Sequence, residues 1–232
     1  MNLSSFTAPA TAVVIGASGG IGAAVRQHLE DSPVFNDVIA FRRPALDLKD
    51  EDSIRGAAAS IDRPIDLVFV ATGVLHTDSY QPEKALRQVD PQAMQDVFAI
   101  NTIGPALVAK HFLPKMRKDA KSVFAALSAR VGSISDNRLG GWVSYRASKA
   151  ALNMVLKTAA IEHRRSRPQS VLLALHPGTV DTRLSSPFQR GVPDGKLFDP
   201  AFSAGKLLQV IDHVQPDDSG SFYAWDGQPI TF

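Results

Sequence analysis

The chain contains no cysteine. Disulfides, cysteine-ligated metal sites and thiol catalysis are therefore excluded. Net charge is equally sparse: 25 Lys+Arg against 23 Asp+Glu leave +2, too little to argue for a nucleic-acid or membrane partner. The six histidines are scattered, without the HExxH spacing of a metalloprotease helix, so no metal site is expected. No apolar run approaches the roughly 20 residues that span a bilayer. The stretch from Met1 to Ala10 lacks the basic start and apolar core of a secretory leader. It reads as a ragged lead-in to a soluble, cytoplasmic protein. What remains is 232 residues, 44% of them hydrophobic, enough for a sizeable core and within reach of one large α/β domain spanning 1–232. No internal repeat, low-complexity tract or interdomain linker interrupts it.

Apolar runs alternate with helix-forming stretches. Thr11 to Ile15 is a β-branched strand, followed by Gly16-Ala17-Ser18-Gly19-Gly20-Ile21-Gly22 and a helical stretch from Ala23 to Glu30. Glycines at a strand-to-helix turn let the backbone approach a pyrophosphate, which rests on the helix N-terminus. The bland alternative is a structural turn. A second strand, Asp37 to Phe41, ends in Arg42-Arg43. NAD-preferring sites place an acidic residue here for the ribose 2′-OH. Two guanidiniums suit a 2′-phosphate instead, so NADP(H) is favoured, with NAD(H) as the alternative; two solvated loop arginines are the plain reading. Asp50 to Ile61 reads as a helix, and Ile65 to Ala71 as a strand buried on both faces. Asp90-Pro91 offers an N-cap with Pro at the first helical position, opening a helix that runs to about Met116. Pro105 removes a backbone donor inside it. Ser122 to Leu127 and Ser170 to Leu175 are further strands, Ser203 to Val214 a last helix and Phe222 to Trp225 a last strand.

Between Ser144 and His163 there is neither proline nor glycine, and the segment reads as a helix. Tyr145 and Lys149, four apart, project from one face. An ammonium beside a phenol favours the phenolate and lowers its pKa, which makes the pair an acid/base device. Tyr with Lys four residues on also arises by chance, so the motif takes its force from what precedes it.

Taken in order, the GxxxGxG turn at Gly16, Gly20 and Gly22, Asn101 in the long helix, YxxxK at Tyr145 and Lys149, and Pro177-Gly178 resemble the short-chain dehydrogenase/reductase family. Gly132-Ser133-Ile134-Ser135-Asp136-Asn137, Gly140-Gly141 and the C-terminal Ser219 to Gly227 resemble its C-factor-like branch. The resemblance implies a Rossmann-type, doubly wound parallel sheet in a single domain, carbonyl–alcohol interconversion by hydride transfer, and an Asn-Ser-Tyr-Lys site. Asn101, Tyr145 and Lys149 match that set, with Asn101 supporting a water near Lys149; the plain alternative for Asn101 is a Pro-kinked core helix. The hydroxyl position falls on Ala129. Because side chains alternate along a strand, Ser133 beyond Gly132 is preferred, Ser128 is second, and no serine at all is a third option. The resemblance also implies that Asp47 and Leu48 bracket the adenine, although Asp47 is equally a turn or cap residue. Ala71-Thr72-Gly73 replaces the usual Asn-Ala-Gly, with Thr72 a partial substitute. Pro177, Gly178 and Val180 would contact the nicotinamide end, Thr182 a phosphate, and 183–200 would be a substrate lid.

Two functional classes follow. One is an NADP(H)-dependent oxidoreductase for a small carbonyl or alcohol, with Tyr145 as acid/base. The other is a catalytically weak dinucleotide-binding signalling or sensor protein, which Ala129 keeps in play. A nucleic-acid-binding α/β domain is disfavoured by the near-neutral charge. The two long helices are apolar enough to pair across a two-fold axis, so a homodimer or homotetramer is expected.

Overall fold

The computed structural model describes residues 1–232. Its strands are β1 (Ala10–Ile15), β2 (Phe35–Phe41), β3 (Leu67–Val70), β4 (Ser122–Leu127), β5 (Ser170–His176), β6 (Thr179–Val180), β7 (Leu197–Phe198) and β8 (Ser221–Ala224). The helices are α1 (Gly20–Glu30), α2 (Glu51–Ala59), α3 (Pro91–Phe98), α4 (Gly104–Phe112), α5 (Val143–Arg164) and α6 (Pro200–His213). Six strands form one parallel sheet in the order β2-β1-β3-β4-β5-β8. The chain winds outward from β1 in both directions, as expected of a doubly wound sheet with helices on both faces.

The continuous apolar strands follow from that burial. Val13, Val68, Phe124 and Leu172 face α2, α4 and α5, packing with Ile54, Phe112, Leu152 and Leu156. Their neighbours Val14, Phe69, Ala125 and Leu173 face α1 and α6, packing with Leu29, Leu207 and Ile211. Ile65 lies outside β3 and makes an isolated bridge to Met116. At the amino ends of the strands, buried Asp66 accepts from the Thr11 N–H at 2.8 Å and pairs with Arg117. No helix is long and apolar enough to cross a membrane.

One expectation is corrected. The helix opened by Asp90, whose side chain accepts from the Ala93 N–H at 2.8 Å, does not run unbroken to Met116. It is α3, then a π-helical turn over Ala99–Ile103, then α4, then a 3-10 turn over Leu113–Lys115. Pro105 has no N–H to give to Asn101, and the Gly104 N–H reaches back five residues to the Ala99 carbonyl. The helix absorbs the missing donor as one wide turn rather than as a simple kink.

Candidate active site

Two adjoining cavities, of about 510 and 630 Å³, open at the carboxyl ends of β1, β3, β4 and β5. Gly19, Arg43 and Ala71-Thr72-Gly73 line both. The larger one holds Gly16, Ser18, Arg42, Asp47 and Leu48. The other holds Gly20, Ile21, Ser128, Tyr145, Lys149, Pro177 and Thr182. Residues scattered from 16 to 182 thus converge on one cleft at the end of the sheet where doubly wound folds bind ligands.

The glycines explain the floor of the cleft. Gly16 has φ +85, and a Cβ there would lie 2.8 Å from Thr72 Cγ2; one at Gly22 would lie 2.3 Å from the Gly16 carbonyl oxygen. Only bare backbone allows this strand-to-helix turn to close so tightly. Helix α1 then begins at Gly19 with no side-chain cap and no acidic residue in its first turn. Its free N–H groups suit an anion. Thr72 Oγ1 is buried beside it without a hydrogen-bond partner. An uncapped helix end, a bare-backbone floor, an unpaired hydroxyl and two guanidiniums together fit a dinucleotide phosphate. Asp47 serves as the turn residue, its Oδ1 accepting from the Lys49 N–H at 2.9 Å, while still lining the cavity. Leu48 packs against Gly104.

Tyr145 and Lys149 leave α5 one turn apart, and Lys149 Nζ lies 5.9 Å from the Tyr145 ring centroid. Nζ donates to the Leu127 carbonyl at 2.7 Å. The sequence expectation that Lys149 lowers the phenol's pKa is not what this state displays. Burial pushes Tyr145 up, and it pushes Lys149 down to about 7. Both groups are out of water, and each loses the hydration of its charged form.

Asn101 is fully buried in the π-turn. Its Oδ1 accepts from the Val74 N–H at 2.8 Å, and its Nδ2 donates to the Val74 carbonyl at 2.8 Å and to Ser148 Oγ at 3.1 Å. It therefore clamps the loop after β3 to α5.

The two serines fall differently from the expectation. Ser133 is buried, and its Oγ accepts from the Asp136 N–H at 3.1 Å. It shapes the loop after β4 and does not line the cleft. Ser128 does line it, beside Tyr145 and Lys149. Phe124 and Ala126 face α5, and Ser128 continues that alternation onto the same side, where its hydroxyl donates to Asn153 Oδ1 at 2.7 Å. Facing away from residue 129 is what brings it toward α5.

Gly178 and Val180 flank the cleft: Gly178 has φ +80 and packs on the Phe198 ring, and Val180 lies in β6, paired with β7. Within 183–200, Arg183 and Leu184 line the cavity. Phe188 stacks edge-on to Trp142 at 5.2 Å and to His76 at 5.5 Å, and Trp142 in turn meets Tyr145 at 6.3 Å.

Sequence reasoning missed three side chains. Asn153 repeats the Tyr145–Lys149 spacing one turn on, a signal that was available. Glu83 accepts from the Ser144 N–H at 3.2 Å and from its hydroxyl; nothing local announces it. His176 ends β5 with Nδ1 buried and unpaired, and burial, aided by the charge of Arg130, holds its pKa down at about 4, so it is neutral near pH 7.

The short chain dehydrogenase family model matches residues 36–192. This chain belongs to the short-chain dehydrogenase/reductase family and is an oxidoreductase of that class. It is 31% identical to the 1-hydroxy-2-glutathionyl-2-methyl-3-butene dehydrogenase of Rhodococcus sp. (strain AD45), over 94% of this chain and 97% of that one. It is 37% identical to C-signal of Myxococcus xanthus, over 63% of this chain and 82% of that protein. Its fold superposes on the NADPH-bound carbonyl reductase from chicken fatty liver with a TM-score of 0.85 and 26% identity, covering 98% of this chain and 95% of that one.

Proposed function

We propose that this protein is an NADPH-dependent reductase of a small-molecule carbonyl. The observation that carries the reading is the convergence of Tyr145, Lys149 and Ser128 on the cleft that the uncapped start of α1 and the two arginines also line. The dinucleotide, when bound, supplies the hydride that reaches the carbonyl carbon. Gly16, Ser18, Gly20, Ile21 and Gly22 would hold its pyrophosphate, Arg42 and Arg43 its 2′-phosphate, Asp47 and Leu48 its adenine. Ala71, Thr72 and Gly73, with Pro177, Gly178, Val180 and Thr182, would line its course toward the reacting end. Tyr145 donates the phenolic proton to the substrate oxygen. Tyr145 carries its phenolic proton at neutral pH and is the group placed to donate it. Lys149 stabilises the phenolate left behind. Ser128, rather than Ser133, donates a hydrogen bond to the oxygen as charge develops on it. Asn101 holds the loop and helix between which these groups act. The 183–200 segment, through Leu184 and Phe188, is the lid over the substrate.

The test is NADPH oxidation by the purified protein over a panel of aldehydes, ketones and quinones that includes para-nitrobenzaldehyde and phenanthrenequinone. Turnover is expected with at least one compound and should vanish in Tyr145→Phe. A fully active Tyr145→Phe, or no turnover with any compound, rejects the reading. NADPH should bind on the order of 10- to 100-fold more tightly than NADH, and Arg42→Ala with Arg43→Ala should erase that preference.

A further inference from the structure

Asn153 stands one helical turn beyond Lys149 on the inward face of α5 and is 2% exposed. Its Oδ1 accepts the Ser128 hydroxyl at 2.7 Å. Its Nδ2, equally buried, has no acceptor. A buried donor left unpaired is costly and demands an explanation.

The chemistry of the pair supplies one. A serine hydroxyl carries a single hydrogen. While Ser128 gives that hydrogen to Asn153, it cannot give it to a carbonyl oxygen in the cleft. A carboxamide, unlike a carboxylate or a hydrocarbon, has a donor end and an acceptor end, and its terminal torsion is broad. Half a turn places Nδ2 against Ser128 Oγ. Nδ2 then gains its missing acceptor, and the Ser128 hydrogen is released toward the cleft. Oδ1 is left unpaired in exchange, and a lone carbonyl oxygen is better tolerated than a lone N–H.

We propose that Asn153 is a positioning residue: its carboxamide turns when a carbonyl oxygen enters, so that Nδ2 donates to Ser128 and Ser128 donates to the substrate. No proton changes owner in this rearrangement; one hydrogen bond is exchanged for two. The inference rests on the role given to Ser128 above. It assigns to α5 a third working position at the spacing of the first two.

A double-mutant cycle tests it, with NADPH and whichever panel compound turns over fastest. Ser128→Ala should lower kcat by about 10²-fold. Asn153→Ala should lower kcat by about tenfold, with KM and NADPH affinity within about twofold of wild type. Asn153→Asp offers only acceptors and holds the Ser128 hydrogen, so its kcat should fall to the level of Ser128→Ala. Placed in the Ser128→Ala background, neither Asn153 change should lower kcat further. If Asn153→Ala fails to fold, Asn153→Ser carries the same cycle. An unchanged kcat in the Asn153 variants, or an equal loss with and without Ser128, overturns the inference and leaves the Ser128 assignment standing. A Ser128→Ala protein at wild-type rate overturns that assignment, and this inference with it.

Discussion

Lys149 shows how burial at one residue controls both stability and chemistry. Its ammonium loses water on folding and has no carboxylate partner in return, only the Leu127 carbonyl and the face of Tyr145. Its pKa falls from 10.5 to about 7. Between those values the unfolded chain holds a proton that the folded chain has released. Stability therefore rises with pH across that window, and the contribution is absent below it. Denaturant unfolding of the cofactor-free protein at pH 7 and pH 9 should show the gain, at most about 1.4 kcal/mol per pH unit. Lys149→Met should lose that part of the slope and be the more stable protein at pH 7. Parallel pH profiles for the two proteins would mean that Lys149 does not titrate in this range.

At the scale of elements, α5 is started by a residue outside it. Gly140, Gly141 and Trp142 are all left-handed, at φ +63, +67 and +51, and a bulky residue in that region is strained. Trp142 offers no side-chain cap to α5. Glu83, itself 7% exposed, fills that gap. Its carbonyl accepts from the Trp142 N–H at 2.5 Å, and its carboxylate accepts from Ser144 at the positive end of the helix. Glu83→Ala should therefore cost about 0.5–2 kcal/mol, as loss of a cap does, and lower Tm by roughly 2–4 °C per kcal/mol. Because Tyr145 follows Ser144 directly, kcat should fall while NADPH affinity holds. Differential scanning calorimetry with steady-state rates checks both, and a Glu83→Ala protein with wild-type Tm would contradict the capping role. The π-turn is the second such device, since it places Asn101 where both Val74 and Ser148 lie within reach.

At the scale of the molecule, three of the nine exposed large apolar residues gather on one face. Met154 and Ile161 lie two turns apart on α5, and Ile103 lies in the π-turn that packs beside it; they are 66%, 57% and 52% exposed. An apolar strip on the two central helices of one face fits a self-complementary interface between two copies of the chain. We predict a homodimer or larger closed assembly at micromolar concentration. Met154→Glu with Ile161→Glu should convert it to monomer in light scattering without moving Tyr145, which faces the other way into the cleft. A wild-type monomer would refute the interface.

What the sequence by itself determined is what depends on neighbours within a turn or a strand. Tyr145 and Lys149 share a face because four residues make about one helical turn. Asp90 caps α3 because an acidic side chain before Pro91 meets its first free N–H groups. The glycine run after β1 makes a bare-backbone turn because no other residue permits it. The alternating apolar runs already carried the doubly wound sheet. Tertiary structure decided whatever depends on which surfaces meet. That Ser128 lines the cleft and Ser133 does not turned on which side of β4 faces α5, and strand alternation alone does not orient that axis. Glu83 and Ser144, far apart along the chain, are joined only by folding. The pKa directions of Tyr145 and Lys149 follow from water excluded by residues drawn from every part of the chain, and that exclusion exists only once the cleft has closed around them.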